Sequence, residues 1–142
     1  MKMSMHVLIV EDNEGDILLL TEVLSERPSI RKISVAKTGQ EAIDFVHKIG
    51  TFQKSETPDL ILLYINLPLK NGHEVLESIK SSDQSRKIPV VMLTTSSSPE
   101  DVNRCYDLHA NLYITNTGDM NTFENALQAV EMFWSSMVQL PD

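Results

Sequence analysis

The chain has 142 residues, a length that suits one domain built on a single hydrophobic core. Its net charge of −8 argues against binding to nucleic acids or to anionic membranes, because both require a basic surface. The single cysteine excludes an internal disulfide. The apolar run at 7–10 is too short for a signal-peptide core or a membrane span. These properties predict a cytosolic protein that binds neither nucleic acid nor membrane.

Short apolar runs alternate with amphipathic segments along the whole chain. Strands are predicted at 7–10, 33–35, 60–65, 88–93 and 112–114. Helices are predicted at about 15–27, from 39 to Gly50, from 72, from 99 and at about 123–138. Capping signals support two of these starts, since Thr38 and Glu41 have the spacing of a capping box and Ser98 precedes Pro99. We expect one domain over 1–142 without an output domain, because only four residues follow position 138.

Five alternating β-α units predict a parallel sheet covered by helices on both faces. The expected fold is therefore a doubly wound α/β sandwich of the flavodoxin-like type, with strand order 2-1-3-4-5. Ligands of such folds bind at the carboxyl ends of the strands. Four positions fall at these ends: 11–12, Tyr64, Thr94 and Asn116. Their predicted convergence indicates a functional crevice.

Glu11 and Asp12 end the first predicted strand. Paired carboxylates at a strand end suit a hard cation such as Mg²⁺, which prefers oxygen ligands. The alternative is that acids here simply favour the dipole of the following helix. By themselves, these two residues do not separate the two interpretations.

Two segments resemble the receiver domains of response regulators: 8–16 (Leu-Ile-Val-Glu-Asp-Asn-Glu-Gly-Asp) and 59–72, which holds Tyr64 and Gly72. The resemblance implies that Asp12, with Glu11 and the carbonyl of Asn66, holds the cation. It also implies that Thr94 is the switch hydroxyl and Tyr113 the aromatic residue coupled to it. Taken alone, Thr94 would be an ordinary strand residue and Tyr113 a packing aromatic.

The departures from the family pattern lie at the reacting positions. Tyr64 stands where the family has the phosphoacceptor aspartate, and Asn116 stands where it has a lysine. An acyl phosphate requires a carboxylate nucleophile, and the lysine neutralises charge on the transferred group. We therefore expect no phosphate chemistry and weak or vestigial Mg²⁺ binding. The Tyr64 hydroxyl is a candidate donor of a charge-assisted hydrogen bond to Asp12 or Glu11.

The main hypothesis is a stand-alone, degenerate receiver of a two-component system that acts by protein contact and is not an enzyme. The alternative is a phosphorylatable receiver that is altered at Tyr64 or uses another residue. The resemblance implies a sensor histidine kinase as partner. The apolar end of the chain resembles that of response regulators that work with phytochrome-type kinases, which implies a kinase of that type. The same end predicts a homodimer through some of Met132, Phe133, Trp134 and Met137. A core-facing stripe with one exposed aromatic is the competing interpretation.

Overall fold

Five parallel strands form one sheet in the described part of the chain, residues 4–116 and 119–134 of the computed structural model. The strands are β1 (Met5–Val10), β2 (Ile30–Ala36), β3 (Leu60–Tyr64), β4 (Val90–Thr94) and β5 (Leu112–Thr115). The helices are α1 (Glu14–Ser25), α2 (Gly39–His47), α3 (Gly72–Lys80), α4 (Pro99–Asp107) and α5 (Met120–Met132), with a short 3₁₀ turn at Gly50–Phe52. The strand order β2-β1-β3-β4-β5 confirms the predicted doubly wound fold.

Two hydrophobic clusters lie on opposite faces of the sheet. Alternation along β1 sends Leu8 and Val10 into one cluster and Val7 and Ile9 into the other. Helices α2, α3 and α4 cover the first face, and α1 and α5 cover the second. The core strands are apolar on both faces because helices bury both sides of a parallel sheet.

The strand register brings the predicted site positions to one edge. Val10 pairs with Leu63, so the residues that follow them, Glu11 and Tyr64, lie side by side at the carboxyl ends of β1 and β3. The pairing of Tyr64 with Leu93 aligns the end of β3 with the end of β4. Each of these positions is therefore held by backbone pairing in the sheet.

Helix boundaries differ from the sequence prediction mainly at α5 and α2. Helix α5 begins at Met120, three residues before the predicted start, and its predicted end near 138 lies outside the described residues. The second difference is at the end of α2. This helix ends at His47, not next to Gly50, because Lys48 takes a left-handed conformation with φ 59° and closes it. At the start of α2, the Thr38 hydroxyl accepts a hydrogen bond from the Glu41 amide at 3.0 Å, as predicted. Both hydrogen bonds of a capping box occur in α3, where Asn71 and Glu74 bond to each other's backbone amides.

The loop after β3 is closed tightly around the end of that strand. The Gly72 amide donates to the Ile65 carbonyl at 2.7 Å. A Cβ atom at Gly72 would lie 2.5 Å from the Tyr64 carbonyl oxygen, so only glycine fits there. Gly72 therefore holds the backbone at the end of β3 in place through this hydrogen bond and this close contact.

None of the helices described is both long and apolar enough to cross a bilayer.

Candidate functional site

A cavity of about 340 Å³ opens at the carboxyl ends of β1, β3 and β4. Its lining residues are Glu11, Asp12, Asp16, Tyr64, Ile65, Asn66, Leu93, Thr94, Thr95 and Asn116. Six positions singled out in the sequence meet here. They are Glu11, Asp12, Tyr64, Asn66, Thr94 and Asn116. This is the place that the doubly wound topology assigns to a ligand site.

The Glu11 carboxylate is turned back onto its own backbone. Its Oε1 accepts hydrogen bonds from the amides of Asp12 at 2.8 Å and Asn13 at 3.1 Å. Burial is the main cause that raises the pKa of Glu11 to about 7. The nearby carboxyls of Asp12 and Asp16 also raise this pKa, whereas the hydrogen bonds from the two amides lower it. One of the two Glu11 carboxylate oxygens is therefore already engaged by backbone amides.

The Tyr64 side chain projects toward the α1 side of the sheet, beside Glu11 and Asp16. Its hydroxyl oxygen is buried and has no hydrogen-bond partner among the described residues. The predicted bond from this hydroxyl to Asp12 or Glu11 is therefore wrong. Burial first, and then the negative charges of Asp16 and Glu11, raise the pKa of Tyr64 well above its ordinary value, so the phenol stays protonated.

Thr94 and Tyr113 are connected through the loop that follows β4. The buried Thr94 hydroxyl accepts a hydrogen bond from the Ser96 amide at 3.0 Å. The Tyr113 hydroxyl donates to the Ser96 carbonyl at 2.8 Å. Thr94 lines the cavity, whereas Tyr113 lies outside the lining and packs against the α2–α4 side of the core. Ser96 thus bonds to both Thr94 and Tyr113, the two residues that the family resemblance implies as a switch.

Asn116 follows β5, and its amide donates to the Thr94 carbonyl at 2.7 Å. Its side chain lines the cavity at the position where the family pattern has lysine. Among the described residues, the lining contains three carboxylic acids, from Glu11, Asp12 and Asp16, and no lysine or arginine. No cationic side chain in the lining is available to neutralise an anion bound there.

The donor set does not fit a tightly held Mg²⁺ ion. Within the described ranges, no three His, Cys, Asp or Glu side chains are grouped so that they could hold a metal. One oxygen of Glu11 is already bonded to two amides, and Tyr64 presents a phenol at the position where the family pattern has an aspartate. Mg²⁺ demands near-octahedral oxygen coordination, and with that carboxylate replaced, more of the coordination shell would be left to water.

Two residues of this region were not identified from the sequence. Asp16 reads as a helix N-terminal acid, yet it lines the cavity because the first turn of α1 faces the end of β3. Ser96 carries no motif, yet it bonds to both Thr94 and Tyr113. A sequence signal exists for Asp16, since it lies in the first turn of the helix that follows the acidic end of the first strand.

The predicted dimer residues lie near the end of α5. Trp134 is 7% exposed and belongs to the core cluster on the α1–α5 face, whereas Phe133 is 45% exposed. The two rings meet edge to face at 5.0 Å. Met137 lies outside the described residues. Of the described members, Met132 and Phe133 are the ones that present apolar surface to solvent.

Comparisons with known proteins identify the family. The sequence pattern of the response regulator receiver domain matches residues 7–128. Response regulator Rcp1 of Synechocystis is 38% identical over 135 residues, which cover 95% of this chain and 92% of Rcp1. The probable methanogenesis regulatory protein FilR2 of Methanothrix harundinacea is 32% identical over 130 residues, which cover 90% of this chain and 82% of FilR2.

Solved structures give the same result. The phosphorylated cyanobacterial phytochrome response regulator RcpA superimposes with a TM-score of 0.93 at 37% identity, covering 98% of this chain and 99% of RcpA. The Mn²⁺-bound form of Rcp1 gives a TM-score of 0.91 at 38% identity, covering 97% of this chain and 99% of that one. The chain belongs to the response regulator receiver domain family, the receivers of two-component signalling.

Proposed function

We propose that this chain is a degenerate receiver that accepts no phosphoryl group and signals by contact with other proteins. The observation that carries the proposal is the phenol of Tyr64 at the end of β3, inside the cavity. A phenol cannot form the acyl phosphate on which receiver chemistry depends. We assign the chain no catalytic activity of its own.

The electrostatics of the cavity support the same conclusion. An incoming phosphoryl group would meet three carboxyl groups and no side-chain cation in the lining. Phosphoryl transfer relies on positive charge to stabilise the transferring oxygens. Weak Mg²⁺ binding through Glu11, Asp12 and Asn66 would not replace both the lost carboxylate and the lost lysine.

The partner that we propose is a sensor histidine kinase of the phytochrome type. The support comes from RcpA, a cyanobacterial phytochrome response regulator that aligns along nearly the whole chain. The proposed assembly is a constitutive homodimer formed through the end of α5. Met132 and Phe133 support it, because both are nearly half exposed on a helix whose Trp134 is anchored in the core.

A phosphotransfer assay tests the proposal. A cyanobacterial phytochrome kinase carrying radiolabelled phosphohistidine is mixed with this chain and, in parallel, with RcpA, which is known in a phosphorylated form. We expect label on RcpA and none on this chain. In calorimetry, we expect this chain to bind the phosphorylated and unphosphorylated kinase with equal affinity.

Label on this chain would overturn the proposal. Peptide mapping of that label to Asp12 or Asp16 would support the alternative of a receiver that uses another residue. Both carboxyls line the cavity, so either is close enough to be the acceptor.

A further inference from the structure

Ser96 uses all of its polar groups to join three elements of the fold. Its amide donates to the Thr94 hydroxyl at 3.0 Å, and its carbonyl accepts from the Tyr113 hydroxyl at 2.8 Å. Its own hydroxyl donates to the Asp101 carboxylate at 2.7 Å and accepts from the Ser98 amide at 3.2 Å. One loop residue therefore connects the end of β4, the first turn of α4 and strand β5.

The hydroxyl of Ser96 completes the cap of α4. Ser98 is the N-cap of this helix, and its side chain accepts from the Asp101 amide at 3.5 Å. In a capping box, the residue at the position of Asp101 would reach back to the N-cap amide directly. Here the Ser96 hydroxyl bridges the two groups, since it accepts from the Ser98 amide and donates to the Asp101 carboxylate. The start of α4 is consequently tied to the loop that also holds Thr94 and Tyr113.

We propose that these four hydrogen bonds, the Ser96 latch, hold the switch residues Thr94 and Tyr113 in one arrangement without a phosphoryl group. The proposal rests on the proposed function, because a receiver that accepts no phosphate needs an internal group to fix its signalling face. The hydrogen bond from the Ser96 hydroxyl is charge-assisted, which makes it the strongest single link of the set. The surface formed by α4 and β5 is then preset for a protein partner.

Replacement of Ser96 by alanine tests the latch, because it removes the hydroxyl that anchors the loop to the start of α4 and keeps the backbone amide and carbonyl that bond to Thr94 and Tyr113. The matched control is Ser97→Ala in the same loop, where the side chain is exposed. In Ser96→Ala, we expect the Ser98 amide to exchange its hydrogen about tenfold faster or more, the effect of losing a hydrogen bond in a network with a charged group. Ser97→Ala should exchange like the wild type. Equal exchange rates in the two variants would overturn the latch.

Variants at Asp101 distinguish the latch from a local effect of the Ser96 substitution. Asp101→Ala removes the acceptor of the Ser96 hydroxyl but leaves the bond from the Ser98 amide to that hydroxyl, so it should speed exchange at Ser98 less than Ser96→Ala does, while Asp101→Asn keeps an acceptor oxygen and should largely preserve the wild-type rate. The double variant Ser96→Ala with Asp101→Ala should exchange no faster than Ser96→Ala alone, because Ser96→Ala already removes both bonds of the hydroxyl. Additive effects in the double variant would contradict the assignment.

The position of Tyr113 supplies a readout that a simple cap would not change. Fluorotyrosine labelling gives one fluorine resonance for each of the three tyrosines, and Tyr113→Phe assigns the relevant one. We expect the Tyr113 resonance to shift or split in Ser96→Ala and to stay unchanged in Ser97→Ala. An unchanged resonance in Ser96→Ala would refute the latch. Phosphotransfer to the wild-type chain, measured separately, would instead refute the proposed function, so the two failures are distinguishable.

Discussion

The orphaned hydroxyl of Tyr64 makes the replacement of this residue by phenylalanine an informative perturbation. The change removes one oxygen atom and leaves the ring that lines the cavity. That oxygen is buried and has no hydrogen-bond partner among the described residues. A polar group that loses its water and gains no partner destabilises the folded state, so its removal should stabilise the protein.

The magnitude follows from the cost of an unsatisfied hydroxyl, which is about 1–3 kcal/mol in proteins. Because the Tyr64 side chain as a whole is half-buried, the lower end applies, and we expect Tyr64→Phe to raise the free energy of unfolding by about 1 kcal/mol. In a chain of 142 residues this corresponds to a rise in Tm of about 3 °C. Urea denaturation should show a higher midpoint and an unchanged slope.

Tyr113→Phe is the matched control, because the hydroxyl of Tyr113 does have a partner, the Ser96 carbonyl at 2.8 Å. It should lower the free energy of unfolding by about 1 kcal/mol. The two variants therefore shift stability in opposite directions for the same chemical change. A loss of about 1.5 kcal/mol or more in Tyr64→Phe would show that the hydroxyl bonds to Glu11 or Asp12, as a charge-assisted bond would require.

Three further predictions concern other parts of the molecule. Burial lowers the pKa of the fully buried His6. The stability advantage of the wild type over His6→Gln should therefore shrink as the pH falls below about 6.5, the ordinary pKa of histidine, and then through the lowered pKa of His6. Denaturation at several pH values measures this difference, and a constant difference would contradict the prediction. Mg²⁺ titration followed at the amides of Glu11 and Asp12 should not saturate below about 1 mM, and saturation there would contradict the fit argued above. Light scattering at ~100 µM should give the mass of a dimer, since a Kd of ~10 µM, or a binding free energy of roughly −7 kcal/mol, would leave most chains assembled. Replacing Met132 and Phe133 by serine should give a folded monomer. A monomeric wild type would refute the dimer.

The groups around His6 explain the direction of its shift. Desolvation is the largest effect on its pKa and lowers it. The Thr57 carbonyl and the Glu56 carboxylate oppose that effect, and Lys32 and Arg31 add to it. The neutral ring accepts or donates at 2.7 Å with the Ser34 hydroxyl. The folded protein therefore binds a proton at this site less readily than the unfolded chain does, and stability declines as acid is added.

The fold was predictable because hydrophobic periodicity reports burial directly. Helical spacing places Ile17, Leu20, Val23 and Leu24 on one side of α1, and all four are buried. The strand order also followed, since right-handed crossovers leave few ways to arrange five β-α units. The convergence of Glu11 with Tyr64 needed only the pairing of β1 with β3, which the order specifies.

Side-chain contacts were less predictable, because they depend on distances between elements that are remote in sequence. The Tyr64 hydroxyl was expected to meet a carboxylate, but its ring packs toward the α1 side and leaves the oxygen without a partner. The role of Ser96 requires β4, α4 and β5 to be assembled before its three partners are close. The boundary of α2 was missed because the left-handed residue that ends the helix is Lys48, two positions before Gly50, which is left-handed as well.

Intact-mass spectrometry after incubation with acetyl phosphate and Mg²⁺ tests the central claim most directly. The wild-type chain should keep its unmodified mass, because Tyr64 offers a protonated phenol in place of a carboxylate. The double variant Tyr64→Asp with Asn116→Lys should gain the mass of one phosphoryl group, and hydroxylamine should remove it. A hydroxylamine-sensitive phosphoryl adduct on the wild-type chain would contradict the account.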